Sequence, residues 1–292
     1  MPWITRGLRE GVVTSRYPRR PDGYGPGWRG AVRVTEGPVS EGPATEGPAT
    51  GGPATDPELA GLCPTGAIFV TRGRVSVDRG RCILCGRCAE SRPEVFSFDP
   101  SPEVAALHRR ALVVPFGGED DGALDRVRSD LAARVRTLRR SVHVRHVDAG
   151  SDGSDEWEVA ALTNPVYDVQ RLGIFFTASP RHADILLVTG AGASGMAGPL
   201  RRTYESMPDP RVVVAAGTDA VSGGLVHPTY ATLGGIGELV PVDVWVPGSP
   251  PSPFSLLHGI LLGIGLVPGG RIPGRRDPGR RDPGRRDPGS QA

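Results

Sequence analysis

The chain contains no lysine; all 34 cationic side chains are arginine, against 32 Asp and Glu. The formal net charge of +2 is too small for an electrostatic argument toward nucleic acid, and none is expected as a partner. Aromatic residues are scarce at 5%, and hydrophobic residues reach only 38% of 292 positions. That is little for one compact core of this length. Two modest folded units joined by less regular segments fit better, at roughly 150 residues per domain. Long hydrophobic runs are also missing. The longest, Ser255 to Val267, is broken by His258 and several glycines and falls short of the ~20 residues that span a bilayer. No secretory signal pattern opens the chain, and four cysteines in so long a sequence do not make a disulfide framework. These absences point to a cytoplasmic protein.

Glycine and proline are abundant, at 42 and 30 residues. Residues 36–55 repeat EGPVS, EGPAT, EGPAT, GGPAT and read as a flexible linker; residues 268–292 carry three Arg-Arg-Asp-Pro-Gly repeats and read as a solvated, disordered tail. Residues 1–35 form an N-terminal interaction segment. Trp3, Ile4, Leu8, Val12 and Val13 line one side of a short amphipathic helix among Arg6, Arg9 and Arg16, suited to a membrane surface or a partner subunit, unless the segment is simply a frayed terminus. Residues 56–98 hold the cysteines. Residues 99–140 connect, with a helix over 119–140 whose stripe is Leu124, Val127, Leu131, Val135 and Leu138. Residues 141–267 alternate β-branched runs (SVHVRHV, ILLVTG, VVVAAG, PVDVWVPG) with helices around Pro199–Met207 and SPFSLLHGILLGIG. This pattern gives an α/β domain with a parallel sheet and ligands at the strands' carboxyl ends. The Gly190, Gly192, Gly195 spacing is a weak dinucleotide signal, since no acidic residue follows about 20 positions later.

The chemistry rests on Cys63, Cys82, Cys85 and Cys88, the last three as C-I-L-C-G-R-C and the first as C-P-T-G-A-I. In two-cluster ferredoxins each half supplies C-x2-C-x2-C-x3-C-P, and the fourth cysteine ligates the other cluster. With Cys63 as a fourth cysteine, its companions fall on Pro53, Asp56 and Leu59. With Cys82, Cys85 and Cys88 as a first three, their fourth falls on Arg92, directly before Pro93. The four missing thiols belong to one cluster and the four present thiols to the other. The pattern therefore predicts one retained [4Fe–4S] cluster and one lost as a unit. Zinc, usually held by two C-x2-C pairs, is the weaker alternative. Arg81 and Arg87 flank the ligands, where their charge would raise the potential or dock an acidic donor; a plain surface role is an equal reading.

On these residues, 1–98 resemble the ferredoxin-like subunit of formate hydrogenlyase and complex I, through GVVTSRYP, CPTGAI and CILCGRC. Residues 141–267 resemble the small subunit of group 4 nickel–iron hydrogenases and the 20 kDa subunit of complex I, through SVHVRHVDAGSDGSDEWEVAALTNPVYDVQRLG, SPRHADILLVTG, PLRRTYESMPDPRVVVAAG and PVDVWVPGSPPSP. The resemblance implies a flavodoxin-like domain preceded by a small ferredoxin-like α+β unit. It also implies a large subunit and membrane subunits as partners, with a peripheral position on the inner face of the cell membrane. In that family the second domain holds its own [4Fe–4S] cluster. The matching positions here are Asp152, Asp155, Asp219 and Ser249, so all four thiolates are replaced. Carboxylates and a hydroxyl are poor ligands for an iron–sulfur cubane, and that cluster is expected to be absent. Polar side chains filling a solvent-reachable pocket are favoured over a divalent-cation site, and crowded carboxylates should raise at least one pKa. His143, His146 and His182 are read as structural, Asp243 as framework, and Ser249 as no nucleophile.

The functional expectation is an iron–sulfur electron-transfer subunit of a hydrogenase-like or complex I-like assembly, not catalytic alone. The runner-up is a non-redox connecting subunit whose cluster serves folding. A cluster-based sensor is a third reading.

Overall fold

The computed structural model describes residues 2–19, 28–35, 57–71, 74–115, 121–135 and 141–266. The linker, the tail and the ends of the 119–140 helix lie outside them.

The larger unit is a five-stranded, all-parallel sheet. In chain order its elements are helix α4 (Asp121–Arg134), strand β6 (Val142–Asp148), helix α5 (Ser154–Ala161), strand β7 (Ile174–Phe176), strand β8 (Ile185–Thr189), helix α6 (Ala197–Glu205), strand β9 (Val212–Ala216), helix α7 (Thr218–Ser222), strand β10 (Val244–Val246) and helix α8 (Pro253–Gly263). The spatial order β7-β6-β8-β9-β10 is the flavodoxin order, whose crossover reverses between β6 and β8. Strands β8 and β9 are buried at every position, which is why ILLVT and VVVAA read as continuous apolar runs rather than alternating ones. Successive residues still face opposite layers. Ile185, Leu187, Val212 and Val214 pack under α8, while Leu186, Val188, Val213 and Ala215 pack against Leu200, Met207 and Ile236. All eleven residues of α8 are buried, and Ser252 caps it by accepting the Ser255 N–H. Within it His258 accepts the Ala105 N–H, and burial lowers its pKa to about 4, so it sits in the core as a neutral acceptor.

The smaller unit follows helix α1 (Pro2–Glu10), after which Thr14 and Tyr17 pack on the larger unit, at the Pro165 carbonyl and against Phe254. Its body is strand β1 (Ala31–Val34), helix α2 (Pro57–Gly61), strands β2 (Ile68–Thr71) and β3 (Arg74–Asp78), helix α3 (Arg87–Ser91), and strands β4 (Phe96–Asp99) and β5 (Val113–Val114). Strands β2, β3 and β5 form one antiparallel sheet; β1 pairs with β4 in another, from the far side of residues 36–55. The core is small: Val32, Leu59, Ala67, Ile68, Val70, Val75, Val77, Phe96 and Val114.

Helix α4 covers Asp121–Arg134 of the expected 119–140, whose remaining ends, Val135 aside, lie outside the described residues. Leu131 and Val135 are buried as the stripe requires, but Val127 is exposed. Asp243 accepts from Arg134 and from the Val213 N–H (2.8 Å), which fastens the helix to the sheet edge. Truncating Leu257, buried in α8, should cost about 2–5 kcal/mol. Denaturant titration of Leu257→Ala measures this, and a loss below about 1 kcal/mol would contradict α8 as the close-packed cover of the sheet.

Candidate iron–sulfur site and the acid pocket beside it

Cys63 follows α2 and opens a Pro-Thr-Gly turn closed by Gly66 N–H on the Cys63 carbonyl, 3.2 Å. Its Sγ accepts the Ala67 N–H at 3.2 Å and lies 3.3 Å from Thr65 Oγ1. Cys82, Cys85 and Cys88 sit on the loop after β3 and the first turn of α3. Two left-handed residues, Leu84 (φ 57°) and Gly86 (φ 86°), bend this loop. A leucine in that region is strained, the kind of backbone found where a site is over-determined by its surroundings. Arg29 donates to the Cys85 carbonyl at 3.2 Å and occupies the space a Gly86 side chain would take.

All four cysteines line one cavity, closed by apolar residues that include Val32, Ile68, Val77 and Phe98. All four are free thiols. Burial pushes the Cys82 thiol up to about 12, with a smaller push from the other three cysteines, and burial raises Cys88 as well. A pocket that disfavours bare thiolates calls for cations to replace the protons. The donor set is four soft sulfurs with an N–H aimed at one of them, in an apolar shell. It fits a cysteine-ligated iron–sulfur group.

A second feature supports that fit. Arg79 is only 7% exposed. Its Nε donates to the Val32 carbonyl at 2.9 Å, but its buried Nη2 has no hydrogen-bond partner among the described residues. Burial lowers its pKa to about 10, which still leaves it charged at neutral pH. Arg79 and Cys82 line a second, smaller cavity with Leu84, Pro247 and Gly248. Sequence reading passed over Arg79 for Arg81 and Arg87, both of which are exposed.

The cysteine loop rests on the carboxyl edge of the parallel sheet. Thr218 Oγ1 donates to the Cys82 carbonyl (3.1 Å) and accepts the Gly248 N–H (3.1 Å), and Ser222 Oγ donates to the Gly80 carbonyl (2.8 Å). Asp78 binds Arg109 through two hydrogen bonds of 2.8 and 2.7 Å. The same edge carries Asp152, Asp155, Asp219 and Ser249. Asp155 and Asp219 come together; Asp152 and Ser249 are exposed. Asp155 is 3% exposed, against the open pocket expected. Its carboxylate fills the space left by Gly217, and Asp219 fills that beside Gly224. Desolvation, then repulsion from Asp219, Glu156, Asp152 and Asp148, raises the Asp155 pKa to about 8. Asp219 is raised by the same causes, while Asp152 is lowered by hydrogen bonds from Ser154. Among the described residues no three His, Cys, Asp or Glu side chains are grouped to hold a single metal ion.

Nearby, Glu156 accepts from Ser151 Oγ (2.6 Å) and from Thr189 Oγ1, which faces His146 Nε2 at 2.9 Å. His143 N–H donates to Asp184 at 2.8 Å, and His182 is exposed. Gly190 and Gly192 have positive φ, and a side chain at either would run into backbone, at Gly150–Ser151 and at Gly235. Loop packing therefore accounts for these two glycines without a dinucleotide.

Residues 153–262 match the family described as NADH ubiquinone oxidoreductase, 20 Kd subunit, and residues 75–136 match the 4Fe-4S single cluster domain. The latter match includes Cys82, Cys85 and Cys88 but begins after Cys63. Formate hydrogenlyase subunit 7 of Escherichia coli (strain K12) is 41% identical over 136 residues, covering 47% of this chain and 53% of that protein. The probable membrane-bound hydrogenase subunit mbhJ of Pyrococcus furiosus is 37% identical over 139 residues, covering 48% of this chain and 83% of that protein. The chain thus spans about half the length of the first relative and most of the second. Among solved structures, a chain of the membrane-bound sulfane sulfur reductase, an archaeal respiratory membrane complex, is 29% identical with a TM-score of 0.40, covering 45% of this chain and 74% of that one.

The raised Asp155 pKa has a defined consequence. Between its ordinary value of 3.8 and about 8 the folded state holds a proton that the unfolded state has released. Stability should therefore fall as pH rises through that window and level off above it, by up to about 1.4 kcal/mol per pH unit. Asp155→Asn should remove this slope and be the more stable protein at pH 8. Urea titrations at pH 5, 6.5 and 8 test this; parallel pH dependences for the two proteins would contradict it.

Proposed function

Because the chain belongs to the NADH ubiquinone oxidoreductase 20 kDa subunit family, we propose that it serves as the iron–sulfur electron-transfer subunit of a membrane-associated, hydrogenase-like or complex I-like assembly. In this reading it carries one [4Fe–4S] cluster on Cys63, Cys82, Cys85 and Cys88 and none at Asp152, Asp155, Asp219 and Ser249. The observation that carries it is the meeting of all four cysteines in one apolar cavity, beside a sheet edge where three aspartates and a serine stand at the positions that match the family's thiolates.

When bound, the cluster supplies one-electron transfer at a potential set by hydrogen bonds, charge and burial. The Ala67 N–H would stabilise negative charge on the Cys63 sulfur. Ile68, Val77 and Phe98 would keep water from the cavity. Thr218 would hold the Cys82 loop against the larger domain.

The partners proposed are a large subunit and membrane subunits. Exposed apolar residues support a docking face at the carboxyl edge: Trp157 on α5, with Leu225, Tyr230 and Leu233 on the loop that packs against Gly192 and Ser194. Helix α1 presents Trp3, Ile4 and Leu8 to solvent with Arg6 and Arg9 opposite, a second interaction face. Among the described residues no helix is long and apolar enough to cross a membrane, so the proposed position on the inner face is peripheral, through partners.

A second reading is favoured by the replaced thiolates, which remove the family's electron exit toward a large subunit. The chain would then be a connecting subunit in which the metal group serves to fold the small unit. The two separate in one experiment. The relay reading predicts a reversible one-electron EPR signal in the anaerobically reduced chain, lost in Cys82→Ala. It also predicts that electron flux through an assembled complex falls at least tenfold in Cys85→Ala. Unchanged flux with weakened assembly would establish the connecting role instead.

A further inference from the structure

The guanidinium of Arg79 is buried and only partly satisfied among the described residues. Its Nη2 is sealed from water without a hydrogen bond among the described residues. The nearest carboxylate acting on it, Asp99, is already held by Arg33 through both Nε (3.1 Å) and Nη2. No carboxylate lies within ion-pair distance of Arg79 among the described residues. An uncompensated buried charge is strongly destabilising, so such a residue persists where an opposite charge is built beside it. Arg79 shares a cavity wall with Cys82, at the seam where the cysteine loop meets Pro247 and Gly248.

We propose that Arg79 is the fixed buried countercharge of the group held by the four cysteines, a positioning residue that raises its reduction potential. This rests on the cluster assignment above. The step concerned is a one-electron reduction. An electron arrives from a low-potential one-electron carrier, no protein bond forms or breaks, and the site gains one negative charge. A neighbouring positive charge favours the state with that extra charge. Arg81 and Arg87 act far less. Both are exposed, and Arg81 pairs with Asp78 at 3.7 Å, so water and salt screen them. The fork of arginine also suits the place: one nitrogen holds the Val32 carbonyl, and Nη2 is left without a hydrogen bond among the described residues, on a side chain that lines a cavity with Cys82.

The test is a mediated redox titration of the anaerobically purified full chain, followed by EPR, with iron and sulfide measured on every sample. Variants are Arg79→Gln and Arg79→Lys, with Arg81→Gln as the exposed control. Arg79→Gln should take up the wild-type amount of iron and be harder to reduce by at least tenfold, which is about 59 mV for one electron. Arg79→Lys should restore most of the shift, Arg81→Gln should move it little, and raising salt should not erase the Arg79 effect. If Arg79→Gln holds no iron but Arg79→Lys holds the full amount, the charge is required and the proposal stands. An unchanged potential in a fully loaded Arg79→Gln, or loss of iron from both variants, would overturn it. Wild-type chain with zinc or no iron would instead defeat the cluster assignment itself.

Discussion

The convergence of two distant segments on one cavity is the constraint from which the rest follows. Cys63 stands before β2, and Cys82, Cys85 and Cys88 follow β3. Bringing them together forces the turn after α2, the left-handed Leu84 and the close approach of Arg29 to Gly86. Among the described residues the small unit's core holds nine buried apolar side chains, few to organise those loops by hydrophobic burial alone. A metal group bonded to all four sulfurs would tie α2, β2 and α3 into one body and so would couple binding to folding.

The seam between the domains gathers two opposed electrostatic environments. On one side Arg79, with no carboxylate in ion-pair distance among the described residues, is buried next to Cys82, whose thiol burial keeps protonated. On the other, Asp155 is buried among acids with no basic group among the causes acting on it, and it holds its proton toward pH 8. Thr218 and Gly248 lie between and bond to both sides of the seam. Asp219 follows Thr218, whose hydroxyl bonds the Cys82 carbonyl, so the acids with raised pKa values lie close to the cavity lined by the four cysteines. The sheet keeps the flavodoxin order, and the glycines after β6, β8 and β9 leave room for close packing by the Ala193 side chain, the Gly150–Ser151 backbone and the Asp155 carboxylate.

Much of this was legible from residues alone. The runs that became β8 and β9 stood out because parallel strands buried on both faces read as continuous apolar stretches, and those of β6 and β10 because valines recur along them. The apolar run of α8 and the amphipathic α1 were equally visible. Strand β7 was missed, being three residues on the sheet edge, and so was α5, whose opening turn is acidic and whose Trp157 points to solvent. The pairing of β1 with β4 was hidden by the residues 36–55 between them. At the candidate site, spacing singled out the four cysteines. It could not reveal that Asp155 is buried while Asp152 is exposed, or that Arg79 rather than Arg81 turns inward. Those distinctions depend on which side of a loop faces the neighbouring domain, and no local period encodes that.

The central claim is one retained cluster and one lost. Iron and acid-labile sulfide, counted per chain in the anaerobically purified protein, test it directly. The account predicts about four of each, the content of a single [4Fe–4S] cluster. About eight of each would mean that the acid pocket also holds a cluster, and would contradict it.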